Sequence, residues 1–171
     1  MDNTNYVESW YVDYRHEVYK YILSLVNDLN LAEDLMQDTF VKAFIKANTF
    51  QEKSSVKTWL FRIAYNVSID FFRKQKSQQK CKNNYIAEKS LNENNWDLLQ
   101  KEDNKELIAI LNSLKDSYKN VIILRKLHGY SVKETGELLN WPESKVKVTL
   151  SRAIRYLKRQ LIMTNYNQKS Q

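Results

Sequence analysis

The 171-residue chain carries 27 Lys and Arg against 20 Asp and Glu, a formal charge of +7; its 43% hydrophobic and 12% aromatic content is enough apolar material to fold and excludes a disordered class. Two glycines, one proline and one cysteine exclude a glycine-rich phosphate loop, a disulfide framework and a cysteine-built zinc site. Gly129, Gly136 and Pro142 all lie beyond residue 128, so the preceding chain lacks the residues that sheet turns prefer and an all-α fold is expected.

The first residues, Met1-Asp2-Asn3-Thr4-Asn5, have neither a basic n-region nor an apolar h-region. No later apolar run approaches the length of a membrane span, and Cys81 lies in polar surroundings. A cytoplasmic protein without direct membrane insertion is expected. From Val7 to Asn27, Trp10, Tyr14, Val18, Tyr21, Ile22 and Leu25 form an irregular pattern that supports one or two helices. Asn30 followed by Glu33 fits a capping box, and Ala32, Leu35, Met36, Phe40, Ala43, Phe44 and Ala47 then recur at helical spacing, predicting a helix over about 31–48. A polar loop over 48–54 follows, and Ser54 or Ser55 can cap a helix whose stripe is Val56, Trp59, Leu60, Ile63, Ala64, Val67 and Phe71 and which ends near Lys76. Residues 1–76 therefore read as a helical bundle. Residues 77–103, with their Asn, Gln, Ser and Lys runs, read as a polar linker with short helical pieces around Tyr85 to Leu91 and after Trp96.

The charge is unevenly placed. Residues 1–76 hold ten basic and ten acidic side chains, whereas residues 105–161 hold twelve basic and five acidic. Such a concentration is the electrostatic footprint of nucleic-acid binding, although a solvated lysine-rich face has the same composition. In this zone, residues 104–162, helices are predicted around 104–114 and 116–128, the second closed by Gly129 at a position that tolerates a left-handed backbone. Ser131-Val132-Lys133-Glu134 is a capping box opening a short helix to Leu139; Asn140-Trp141-Pro142 breaks it, and a longer helix runs from about Glu143 to Leu161, before a tail over 163–171. This is the plan of a helix-turn-helix, with Gly136 small at a close approach and Leu139, Trp141, Val146 and Leu150 facing inward. Ser144, Lys145, Lys147, Val148, Thr149, Ser151 and Arg152 then project outward. The lysines and the arginine suit phosphate or guanine, the hydroxyls suit backbone or base edges, and Val148 suits a thymine methyl.

These motifs resemble the extracytoplasmic-function (ECF) subfamily of sigma-70-type RNA polymerase sigma factors over nearly the whole chain. Ala32 to Phe44 looks like the core-polymerase-binding helix of region 2.2, Thr58 to Asn66 with Asp70 and Arg73 looks like regions 2.3 and 2.4, and Tyr130 to Arg155 looks like region 4.2. The resemblance implies that Glu33, Asp34, Gln37, Asp38 and Lys42 face core RNA polymerase. It implies that Phe50, Lys53, Ser54, Arg62, Tyr65, Asn66 and Arg73 read and open the −10 element, with Phe50 and Asn66 contacting a flipped base. Ser131 and the outward residues of the last helix would read the −35 element of promoter DNA. Trp59 lies on an apolar stripe, which favours packing over DNA contact. An anti-sigma partner is implied as well. Lys115, Thr135, Asn140 and Lys145 depart from the family pattern, so the promoter sequence does not follow from it.

Nothing points to an enzyme, a cofactor, a metal or a small-molecule substrate. His16 and His128 are isolated, and the carboxylates at 33, 34 and 38 lack the Glu-x-x-His companions of bundle metal sites. The competing reading is a stand-alone helix-turn-helix regulator with a helical sensor or dimerisation domain; a protein-binding helical scaffold is a weaker third.

Overall fold

The computed structural model describes residues 3–81 and 105–168, which form helices and connecting turns with no strand among them. The chain divides into two compact units, Met1–Glu93 and Asn94–Gln171. The short helical pieces expected around Tyr85 and after Trp96 lie outside the described residues.

The first unit is built from α1 (Asn3–Val26), α2 (Leu29–Lys46), a single 3-10 turn (Ala47–Thr49) and α3 (Val56–Cys81), all three helices packing on one another. One unbroken helix fills the segment where one or two were expected. It ends where Asn27 turns left-handed at φ 56°, which asparagine accepts more readily than most residues. Asp28, not Asn30, is the N-cap of α2: its backbone is extended and its carboxylate accepts the Leu31 amide at 2.9 Å. Because the left-handed Asn27 already redirects the chain, Asn30 falls inside the first helical turn. Ser55 caps α3 by accepting the Thr58 amide at 3.1 Å. The core is Val18, Tyr21, Ile22, Leu60, Phe61 and Ala64, all fully buried with Ala32 and Ala43, and the Tyr21 and Phe61 rings stack at 4.9 Å. Each large apolar side chain removed from water here contributes about 1.5–3 kcal/mol. Buried Thr39 and Ser68 are satisfied by the Leu35 and Ala64 carbonyls one turn back. Phe44, expected on the inward stripe, is 48% exposed, because the stripe that α1 and α3 cover stops at Ala43.

The second unit contains α4 (Lys105–Ser113), α5 (Asp116–Ile122), a π-helical turn (Ile123–Leu127), α6 (Val132–Leu139) and α7 (Glu143–Gln168). Leu111, Leu114, Ile122 and Ala153 form one core cluster, with Leu107, Tyr118, Leu150 and Leu157 packed against it. The helix expected over 116–128 changes pitch midway: the His128 amide reaches back to the Ile123 carbonyl at 3.0 Å, a five-residue step. Gly129 follows at φ +70°. Lys115, one of the departures from the family pattern, has a φ of −59°, within the range proline would fix. Both long helices outrun their expected ends, α3 to Cys81 and α7 to Gln168. Neither stretch contains glycine or proline, the residues that break a helix outright.

Candidate nucleic-acid interface

Local chemistry sets both ends of α6 and hence the turn that leads into α7. Ser131 Oγ accepts the Glu134 amide while the Glu134 carboxylate accepts the Ser131 amide at 2.7 Å, which completes the capping box. At the other end Asn140 is left-handed, φ 55° and ψ 48°. A Cβ at residue 136 would stand 2.7 Å from the Trp141 carbonyl oxygen, so only glycine admits the turn there. The close approach is therefore to the turn itself rather than to the second helix. Val146 and Ala153 are fully buried on the inner side of α7, with Leu150 half-buried beside them.

That anchoring turns one face of α7 to solvent. Ser144, Lys145, Lys147, Val148, Ser151 and Arg152 are exposed and Thr149 is half-buried. Ser131 is exposed as well; its oxygen is engaged in the cap, and its hydrogen remains able to donate. Ser151 Oγ accepts from Arg155 at 3.5 Å. Trp141 does not face fully inward: it is half-buried, with the Lys145 ammonium 4.1 Å from its ring centroid. Lys126, Lys133, Arg155, Lys158 and Arg159, absent from the sequence-based set, are exposed too and extend the basic surface along the elements around the turn. Their charge count was the available signal.

In the first unit, Phe50 meets Trp10 at 5.7 Å and Trp59 at 5.1 Å, and Trp10 meets Trp59 at 5.6 Å. All three rings are half-buried, so Phe50 is the rim of an aromatic cluster rather than a free-standing platform. Trp59, whose stripe position favoured packing, touches both other rings yet stays half-buried. On α3, Arg62, Asn66 and Arg73 are exposed at spacings of four and seven, which puts them on one face, with Tyr65 half-buried beside it. Arg73 pairs with Asp70 at 3.0 Å. Lys53 is exposed and Ser54 half-buried in the preceding loop, where Glu52 is left-handed at φ 52°. Lys57, next along, pairs with Glu17 of α1.

On α2, Glu33, Asp34, Gln37, Asp38 and Lys42 are all exposed, opposite buried Ala32, Leu35, Met36, Thr39, Phe40 and Ala43. Burial, reinforced by the Glu33 carboxylate, raises the Tyr19 phenol above its ordinary pKa and keeps it a neutral hydroxyl. Between α1 and α2 runs an apolar groove of about 630 Å³ lined by Tyr11, Val12, Gln37, Phe40, Val41 and Phe44 among others. Exposed Val41 (58%) and Ile45 (70%) continue it. The sequence reading missed this apolar component, whose signal was a pair of large side chains four residues apart and off the inward stripe. Among the described residues no group of His, Cys, Asp and Glu could hold a metal ion, and no helix is long and apolar enough to cross a membrane.

Residues 10–78 match the sigma-70 region 2 family and residues 104–157 match the sigma-70 region 4 family. The chain is 33% identical to the ECF RNA polymerase sigma factor SigX of Bacillus subtilis, over 88% of this chain and 81% of that one. It is also 33% identical to SigM of the same organism, over 89% and 93%. Among solved structures it resembles the sigma factor RpoE of Bartonella quintana, crystallised with the anti-sigma factor NepR, with a TM-score of 0.73, 25% identity, and 90% and 95% of the two chains covered. The two unit-forming motifs, their order and these likenesses agree: the chain belongs to the ECF group of the sigma-70 family of RNA polymerase sigma factors.

Proposed function

We propose that the chain directs core RNA polymerase to promoters through three separate faces. The exposed face of α7 reads the −35 element as duplex. The loop before α3, with Phe50, Lys53 and Ser54, and the α3 face of Arg62, Asn66 and Arg73, with Tyr65 beside it, capture and hold the opened −10 strand. The α2 face of Glu33, Asp34, Gln37, Asp38 and Lys42, together with the adjoining apolar groove, docks on polymerase. The observation that carries this reading is the tight turn at Gly136 to Trp141 followed by the first turns of α7, whose hydroxyls, amines and Val148 occupy the broad side left open by buried Val146 and half-buried Leu150. Those are the groups a major-groove reader uses. An unstacked base needs an apolar wall and an amide for its edge, and Phe50 and Asn66 offer them. The chain supplies recognition in the cytoplasm, and the bond-making chemistry is the polymerase's. An anti-sigma partner, as RpoE of Bartonella quintana has, would act by covering these faces.

Filter binding and permanganate footprinting on the reconstituted holoenzyme test the division of labour. Lys147→Ala or Arg152→Ala weakens closed-complex binding, and the salt slope falls by about one where a phosphate contact is lost. Asn66→Ala leaves closed-complex binding intact and reduces strand opening. Asp34→Lys or Asp38→Lys, both at exposed positions, weakens association with core polymerase while the thermal melt is unchanged. Equal loss of binding and opening in every variant would overturn the assignment, and undetectable core binding by the unaltered chain would favour a self-sufficient regulator.

A further inference from the structure

The turn that locks α7 in place also puts an aromatic ring against a cation at the start of that helix. The Trp141 amide donates to the Gly136 carbonyl at 2.8 Å, and the Trp141 carbonyl occupies the space that a side chain at 136 would need. The backbone of residue 141 is held by that hydrogen bond in a turn that only glycine at 136 admits, and its half-buried indole lies against Lys145, whose Nζ stands 4.1 Å from the ring centroid. Lys145 belongs to the first turn of α7, where its amide donates to the Pro142 carbonyl at 3.0 Å.

A cation is out of place at that end of a helix. Unpaired amides and the helix dipole make the N-terminus positive, so an unrestrained lysine there would swing its four-carbon stem away into water. The indole face, the strongest aromatic host for an ammonium, opposes that motion and keeps the charge beside the helix start. A lysine that only neutralises phosphate gains little from such restraint, since phosphates line both edges of the groove. A lysine that must meet one base gains directionality, and residues at the N-terminus of a recognition helix are those that reach base edges. An ammonium only donates, and guanine is the base that presents two adjacent acceptors, N7 and O6, in the major groove.

We propose that Trp141 is a positioning residue for sequence readout: it holds the Lys145 ammonium in place to select a guanine in the −35 element. This rests on the reading of α7 as the −35 reader. The test is a set of promoter duplexes in which each base pair of the −35 element is replaced in turn, bound by the full chain with core polymerase at two salt concentrations. Lys145→Ala lowers the preference for G·C at one position by about tenfold or more and leaves the other positions unchanged. Trp141→Leu produces the loss at the same position, Trp141→Tyr restores it because an aromatic face remains, and the Trp141→Leu, Lys145→Ala double variant loses no more than either alone. A uniform loss across all duplexes for Lys145→Ala, with a reduced salt slope, would overturn the proposal in favour of a phosphate contact. Unchanged preference in Trp141→Leu, or equal loss in the Tyr and Leu variants, would overturn the role of the ring. If the unaltered chain discriminated at no −35 position, it is the assignment of α7 itself that would fall.

Discussion

Thr135 and Gly136 are adjacent and both buried, and should respond to substitution in opposite directions. Thr135 is fully buried and its hydroxyl has no hydrogen-bond partner. An unsatisfied buried hydroxyl costs about 1–3 kcal/mol, so Thr135→Val, nearly isosteric, raises stability by about 1 kcal/mol, read as a higher urea midpoint at unchanged slope. Gly136→Ala drives a methyl into the Trp141 carbonyl at 2.7 Å and lowers stability by about 1–3 kcal/mol. It also weakens −35 binding, because the turn that orients α7 must shift. A stabilised Gly136→Ala, or a destabilised Thr135→Val, would show that the turn relaxes in a way its geometry does not suggest. Both positions were legible in the sequence, one as a small residue at a close approach and the other as a departure from the family pattern. Trp141 was only half legible: its apolar character pointed inward, and the cation beside its half-buried ring sits four residues away and is seen only once both are placed.

At the scale of elements, local chemistry decides where helices begin more clearly than where they end. The Ser131 and Glu134 capping box appears where the sequence placed it, and Ser131→Ala should cost about 1 kcal/mol in a thermal or urea melt. At α2 two residues were chemically able to cap, and the choice between them depended on the backbone of Asn27, which no spacing rule reveals. Asp28→Ala should therefore lower the stability of the first unit by about 1 kcal/mol, whereas Asn30→Ala, at an exposed position within the helix, should be neutral or slightly stabilising. The reverse order would return the cap to Asn30. Helix ends were missed at α3 and α7 for a related reason: without glycine or proline, nothing local stops the hydrogen-bond ladder. The apolar rim of α2 was missed because Phe44 continues the inward period and is exposed only by the reach of its neighbours.

Across the whole molecule, charge and structure divide at the same place. The evenly charged segment of residues 1–76 belongs to the first compact unit and the basic segment of residues 105–161 to the second. Duplex binding by the free chain should thus come from the second unit, and be weak and salt-sensitive. Polymerase would hold both reading surfaces on one DNA and raise the effective concentration of each for its element. Band shifts on promoters whose −35 to −10 spacing is varied should show tight, spacing-dependent binding only with core enzyme present; the same dependence in the free chain would point to a regulator acting alone. The length of α7 adds a mechanical element. Its 26 residues extend about 39 Å, past the last residue matched by the family, and carry exposed Ile162 and Met163 on turns far from the recognition end. Val146 and Ala153 are buried and Leu150 and Leu157 pack beside them, so α7 is clamped along four successive turns and the overhang that carries Ile162 and Met163 begins only beyond that clamp: a partner gripping the overhang would have a handle on the second unit that leaves the proposed reading face uncovered.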